Sequence, residues 1–125
     1  MHQKVDLLTM DFKAGAAIAK GLIVKFVTDD DTVTVGAANT DLLIGVAAEA
    51  IASGARGPIQ LSGIAEVKTA GTITRGGMVT TDATGNGVAL PASATIVSAI
   101  GMALASGVTG DIIPVLIAPQ WSVTA

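Results

Sequence analysis

Cysteine and tyrosine are missing from this chain of 125 residues, and histidine occurs once. The lack of cysteine excludes disulfides and thiol chemistry, and is compatible with assembly in a reducing cytoplasm. Phe12, Phe26 and Trp121 are the whole aromatic inventory. Charge is scarce as well. Charged residues make up 14% of the chain, against about a quarter in an ordinary globular domain. The basic residues, Lys4, Lys13, Lys20, Lys25, Arg56, Lys68 and Arg75, are scattered singly and the net charge is −3. Nucleic-acid binding asks for a basic patch and often for stacking aromatics. Neither is present, so nucleic acid is excluded as a partner. No charge falls between Asp82 and Asp111, a window longer than a bilayer span. Gly85, Asn86, Gly87, Pro91 and several Ser and Thr interrupt it, so it does not read as a membrane helix. Met1 to Asp6 also lacks the long apolar run of a signal peptide.

What is present is small and aliphatic. Half of the residues are hydrophobic and 15 are glycine. A chain of this length reads as one domain with a real core, built in thin layers from Val, Ile, Leu and Ala. The mean hydropathy of +0.67 is high for a surface left in water. Burial of that surface against partner subunits is the better explanation.

The chain reads as if written twice. Ala14-Gly15, Ile18, Lys20-Gly21 and Val24 are answered by Ala70-Gly71, Ile73, Arg75-Gly76 and Val79. Ile44-Gly45-Val46-Ala47 is answered by Ile100-Gly101-Met102-Ala103. Ala52-Ser53-Gly54 with Gly57 and Ile59 is answered by Ala105-Ser106-Gly107 with Gly110 and Ile112. The successive offsets are 56, 55, 56 and 53 residues. Two copies are too few for a solenoid. They fit one body with a pseudo-twofold relation, divided into an N-terminal arm over 1–13, a β domain over 14–118 and a tail over 119–125. The two pseudo-repeats run over about 14–69 and 70–118.

Local patterns point to strands. Ile23 to Val27 and Thr32 to Val35 alternate around Asp29-Asp30-Asp31, a hairpin with an acidic tip. Met78 to Thr81 and Val88 to Leu90 flank Asp82 to Gly87, where Asn86-Gly87 is a strong hairpin signal. The Ala-rich stretch from Val46 is too short for a stable helix and reads as a strand or strand end. Pro58 to Lys68 reads as a long strand bent at Ser62-Gly63. Ile112 to Ile117 mirrors it, with Pro114 expected on a sheet edge. Short strands with frequent Gly turns predict an all-β barrel or sandwich.

Nothing in the chain assembles into a catalytic constellation. His2 reads as an inert terminal residue, and no Gly-x-Ser-x-Gly elbow is present. Asp29-Asp30-Asp31 lacks the spacing of a calcium loop and reads as a solvated hairpin tip. Asp82 reads as an acceptor of local backbone hydrogen bonds. No phosphate-cradling glycine motif occurs. No cofactor, metal or catalytic residue is therefore expected. Two apolar sets stand apart from the repeat. Val5, Leu7, Leu8, Met10 and Phe12 form either an arm that reaches a partner or an edge strand that closes the barrel. Trp121, in a mostly polar tail, either folds back on the body or inserts in a neighbour.

The pattern Ala-Gly-x-x-Ile-x-Lys-Gly, then Ile44-Gly45-Val46-Ala47, then Ala52-Ser53-Gly54-Ala55-Arg56-Gly57 and Ile59 to Val67, resembles small bacteriophage head decoration, or capsid cement, proteins. The resemblance covers about 14–117. It implies a β-tulip or barrel-like homotrimer on the outer face of an icosahedral shell. It also implies an arm, here Met1 to Phe12, engaging the major capsid protein. The function expected is a structural virion protein that bridges major capsid protein subunits and stabilises the head. The competing expectation is a small ligand- or carbohydrate-binding β module, against which the paucity of aromatics argues.

Overall fold

A computed structural model of the chain describes residues 5–27, 29–91 and 96–123, with side chains placed from 8 to 121 within those segments. Met1 to Lys4, including His2, lie outside the described residues, as do Thr95 and the last two residues of the tail. Nine strands run in order: β1 Val5–Ala14, β2 Ile23–Phe26, β3 Thr32–Val35, β4 Leu43–Ala47, β5 Arg56–Lys68, β6 Met78–Thr81, β7 Gly87–Ala89, β8 Ile96–Ala103 and β9 Ile112–Val123. Among the described residues there is no helix. Both hairpins form where alternation and turn residues put them. Val24 faces Val35 across the first, and Thr80 faces Val88 across the second. Asp29 Oδ1 accepts the Asp31 and Thr32 N–H groups at 3.0 and 2.8 Å. Asp82 Oδ1 accepts those of Thr84 and Asn86, each at 2.9 Å.

The strands form two rings that share β5. The first runs β1-β3-β2-β4-β5 and closes where β1 pairs antiparallel with β5, from Lys13↔Arg56 to Val5↔Ile64. Its one parallel contact is β1 to β3, Ala14↔Val33. The second uses the C-terminal half of β5 with β9, β8, β6 and β7. Its parallel contact is the bridge Thr69↔Gly87. Between the halves of β5 stands Gly63, whose φ of 95° lies in a region that only glycine enters without strain. Gln60 braces the bend. Its side chain is buried, and Nε2 donates to the Ser62 and Ile64 carbonyls at 3.2 and 3.0 Å.

Each ring has a small aliphatic core. Phe12, Ala14, Ile18, Val24, Val33, Ala47, Ile51 and Ile59 fill the first. The second cluster holds Val67, Ile73, Val79, Ala103 and Val115, and extends to Ile23, Leu43 and Val46 of the first unit. A shared strand and a shared cluster make the two units one body.

The hydrogen bonds and pairings correct two expectations and decide a third. First, the repeat does not slip to an offset of 53. The Gly54 N–H donates to the Ala14 carbonyl and the Gly110 N–H to that of Thr69, each at a left-handed glycine. Ala48 donates to Pro58 as Leu104 does to Pro114. Ala52-Ser53-Gly54 therefore corresponds to Val108-Thr109-Gly110, at the offset of 56 that also relates Ile44 to Ile100. Second, Pro114 is not on an edge, because β9 lies between β5 and β8. Its carbonyl accepts from Leu104, one residue past the end of β8. Its missing N–H points the same way, so the ladder stops where the proline has no donor to give. Third, of the two readings of the N-terminal apolar set, an arm or an edge strand that closes the barrel, the strand holds from Val5 on, as a stave of the first ring. The Asp11↔Pro58 pairing matches Glu66↔Pro114, so β1 stands where the second half of β5 stands in the next unit. The tail likewise continues β9, pairing with β8 from Ala99↔Gln120 to Ile96↔Val123.

Candidate functional site

The second half of β5 pairs with β9, whereas the first half pairs with β4. The start of β4 and the end of β9 therefore diverge from the bend at Gly63. A groove of about 300 Å³ opens between them, lined by Phe26, Leu42, Leu43, Ile44, Ser98, Pro119, Gln120 and Trp121. Leu42 is 61% exposed, Trp121 51% and Phe26 38%. Alternation along β2 turns Phe26 to the inside of the first ring at its mouth, where its ring meets that of Phe12 edge to face, centroids 6.0 Å apart at 75°. Trp121 stands opposite Ser98 in the β8–β9 register.

One side of the groove is held by polar contacts. Lys25 Nζ lies 3.3 Å from Asp41 Oδ2. The same oxygen accepts the Ala37 and Ala38 N–H groups at 2.9 and 2.8 Å. Ser98 Oγ donates to the Asp41 and Asn39 carbonyls at 2.6 and 3.2 Å. The 37–41 connection is thereby fastened over β8. Burial pushes the Asp41 carboxyl up, but the two N–H groups and Lys25 outweigh it and leave it below its ordinary value. Asp29 is lowered by the backbone of Asp31, and Asp31 by its hydrogen bond to Arg56. Arg56 grips both Asp31 oxygens, at 2.5 and 3.0 Å, and the Asp11 carbonyl at 3.1 Å, so it ties β1, β3 and β5 together.

A carboxyl lowered on folding adds stability above its unfolded pKa, and that stability is lost as pH falls through the folded value. The melting temperature is therefore level near neutrality and falls below about pH 4, the ordinary aspartate range. Asp41→Asn flattens part of that fall. A pH series of thermal melts on both proteins checks it, and identical acid slopes would remove Asp41 from the account.

The residues singled out from sequence divide. Leu8 and Met10 are exposed on β1, at 51% and 49%, and Trp121 lines the groove. Phe12 is buried in the first core, because a register that opposes it to Gly57 turns it inward. It supports Phe26 and presents no surface of its own. The side chains of Val5 and Leu7 lie outside the described residues. Phe26, Leu42 and Ile44 carried no functional signal in the sequence, where they read as ordinary strand positions. A second depression, of about 330 Å³, lies among Lys20, Gly21, Glu66, Lys68, Gly110 and Ile112. Among the described residues no group of three His, Cys, Asp or Glu side chains is placed to hold a metal ion.

The site thus offers apolar contact area on a doubled β scaffold. The family model for phage cement proteins matches residues 2–117. This chain belongs to the phage cement protein family. Membership gives it a structural role in a phage capsid and a place in the virion. The fold also matches a solved structure, the N base of head fiber gp8.5 in bacteriophage phi29, with a TM-score of 0.70. That likeness covers 89% of this chain and 93% of the other at 18% identity, and it shows a shared fold. No curated protein matches the chain in sequence. The cement family accounts for what composition left open, a structural job for a weakly charged β body.

Proposed function

We propose that this cement protein decorates the outer capsid surface and stabilises the head by bridging neighbouring major capsid protein subunits. It acts as a homotrimer, put together in the host cytoplasm and without catalysis. The observation that carries this reading is the set of large apolar side chains left in water by the single chain, Leu8, Met10 and Trp121 among them. Apolar area withdrawn from water contributes about 25 cal/mol per Å². Many copies on one lattice turn modest contacts into strong retention by raising the local concentration of binding partners.

The test uses expanded heads that lack the protein. Added protein co-sediments with them and raises their melting temperature. Heads that neither bind it nor gain heat resistance would end the proposal. Trp121→Ala lowers retention about tenfold or more, the loss expected of a hot-spot tryptophan. Leu8→Asp with Met10→Asp weakens retention without altering the fold, because both side chains already face solvent. Titration of the variants against the same heads measures both effects, and undiminished binding by all of them would place the contact elsewhere.

A further inference from the structure

Over part of its length β9 has a strand on one side only. β5 runs beside it from Lys68↔Ile112 to Gly63↔Ile117 and then turns away at the left-handed Gly63. β8 stays with it on the other side as far as Ile96↔Val123. From Ala118 on, no strand among the described residues fills the lane that β5 has left. The groove between β4 and β9 opens along this empty lane.

The register tells which groups face it. The Ser98 N–H donates to the Asn39 carbonyl at 2.7 Å, so it points away from β9. In an antiparallel ladder, facing residues exchange both of their hydrogen bonds or neither. Ser98 faces Trp121, and this pair exchanges neither. The Trp121 N–H and C=O therefore point into the empty lane, and those of Val123, two residues on, do the same. The opposite edge of this ribbon differs, because the 37–41 connection covers β8 at Ser98.

An open strand edge pairs readily with another chain, and natural proteins guard such edges with charge, proline or a cover. Pro119 removes a donor where the lane begins, but nothing guards Trp121 to Val123. No charged residue lies between Asp111 and Ala125, and none lies in β8. The residues lining the groove are all uncharged. Lys25, the nearest cation to that side, is paired with Asp41.

We propose that this edge takes up one extended, uncharged segment exposed on the head surface. The segment pairs with Trp121 and Val123 as a strand in the lane that β5 vacates. It sets apolar side chains, at every second position, against Trp121, Leu42 and Phe26. Main-chain hydrogen bonds supply affinity in this mode of binding, and pockets for alternate side chains supply selectivity. A charged side chain in the groove would lose hydration without gaining a partner. The groove, at about 300 Å³, is at the small end for a small-molecule site and suits side chains better than a whole ligand. The inference rests on the capsid reading and names the contact by which the chain is held.

The experiment is hydrogen exchange read amide by amide in the mass spectrometer, on the full chain free and bound to heads that lack it. In the free protein the Trp121 and Val123 amides exchange fast, while that of Ser122, which faces β8, exchanges slowly. On heads, both fast amides become slow. Val123→Pro removes one edge donor and leaves the β8 ladder intact. It lowers retention about tenfold relative to Val123→Ala, the loss expected when a buried acceptor is left without its donor. If Val123→Pro fails to fold by circular dichroism, Gln120→Lys, which puts a charge on the exposed edge, lowers retention in its place. Heads that bind the protein while both amides stay fast, or edge variants that bind as well as their controls, would overturn this inference and leave the capsid reading standing. Protection in the free protein that grows with its concentration would give the edge to a second copy and overturn it as well. Wild-type protein that does not bind heads at all would end both.

Discussion

Gly101→Ala melts about 10 °C or more below wild type, or fails to accumulate as folded protein. A Cβ on Gly101 would overlap the Leu116 carbonyl oxygen and approach the Leu116 carbonyl carbon to 2.8 Å. Side-chain rotation cannot relieve a clash with backbone. The Leu116 backbone cannot retreat either, because it pairs with Ile64 on one side and Met102 on the other. Overpacking of this kind costs about 1–3 kcal/mol and sometimes more. At a few degrees per kcal/mol for a domain of this size, the loss is large. Gly45, the equivalent residue of the first unit, would likewise drive a Cβ into the Gln60 carbonyl oxygen, so Gly45→Ala behaves similarly. Gly71→Ala is the control. Its Cβ would meet only Val88 Cγ1, at 4.0 Å, and its melting temperature stays near that of wild type. Thermal circular dichroism on the three variants decides the matter, and a Gly101→Ala protein as stable as Gly71→Ala would show that β8 and β9 are not in contact as described.

Ile23→Ala lowers stability by about 2–5 kcal/mol, the range for deleting most of a buried isoleucine. It does so in a single unfolding transition. Ile23 is fully buried and belongs to the cluster that joins the units. Its N–H also donates to the Gly85 carbonyl of the second hairpin at 2.8 Å. The cavity therefore weakens both rings together, and neither ring has a complete sheet without β5. Urea unfolding followed by Trp121 fluorescence and by circular dichroism gives coincident curves with one midpoint, shifted from wild type. Two separated transitions would show that the rings are independent.

Much of this architecture was legible because its signals are local. Alternating Thr32-Val33-Thr34-Val35 and the Asn86-Gly87 turn specify hairpins within a few residues. Gly63 marked the bend in β5 because no other residue reaches its φ cheaply. The duplication was visible through glycines that recur for a repeated reason, Gly45 and Gly101 each lying where one strand crosses close to the next. What misled was also local. Ala105-Ser106-Gly107 copies the letters of Ala52-Ser53-Gly54, yet the turn geometry belongs to Val108-Thr109-Gly110. Identity of side chains is a weaker guide there than the need for a left-handed glycine at a fixed distance from the ladder. Pro114 suggested an edge because a proline removes a donor. The ladder had already ended on that side, so the strand remains interior.

Val5 to Phe12 shows the limit most clearly. The segment is apolar, and a partner or a barrel would use the same pattern. Only the antiparallel register with β5 carries Phe12 into the first core, while Met10, two residues back on the same face of the strand, stays half exposed. The groove has the same origin, since Phe26, Leu42 and Trp121 are far apart along the chain. Composition alone decided that this protein is a thin-cored β body with no place for a disulfide. Scarce charge and a missing basic patch follow from counting residues. Which apolar side chains end up inside, and which are left facing water, depends on where strands distant in sequence cross, and that is settled only when the ladders close.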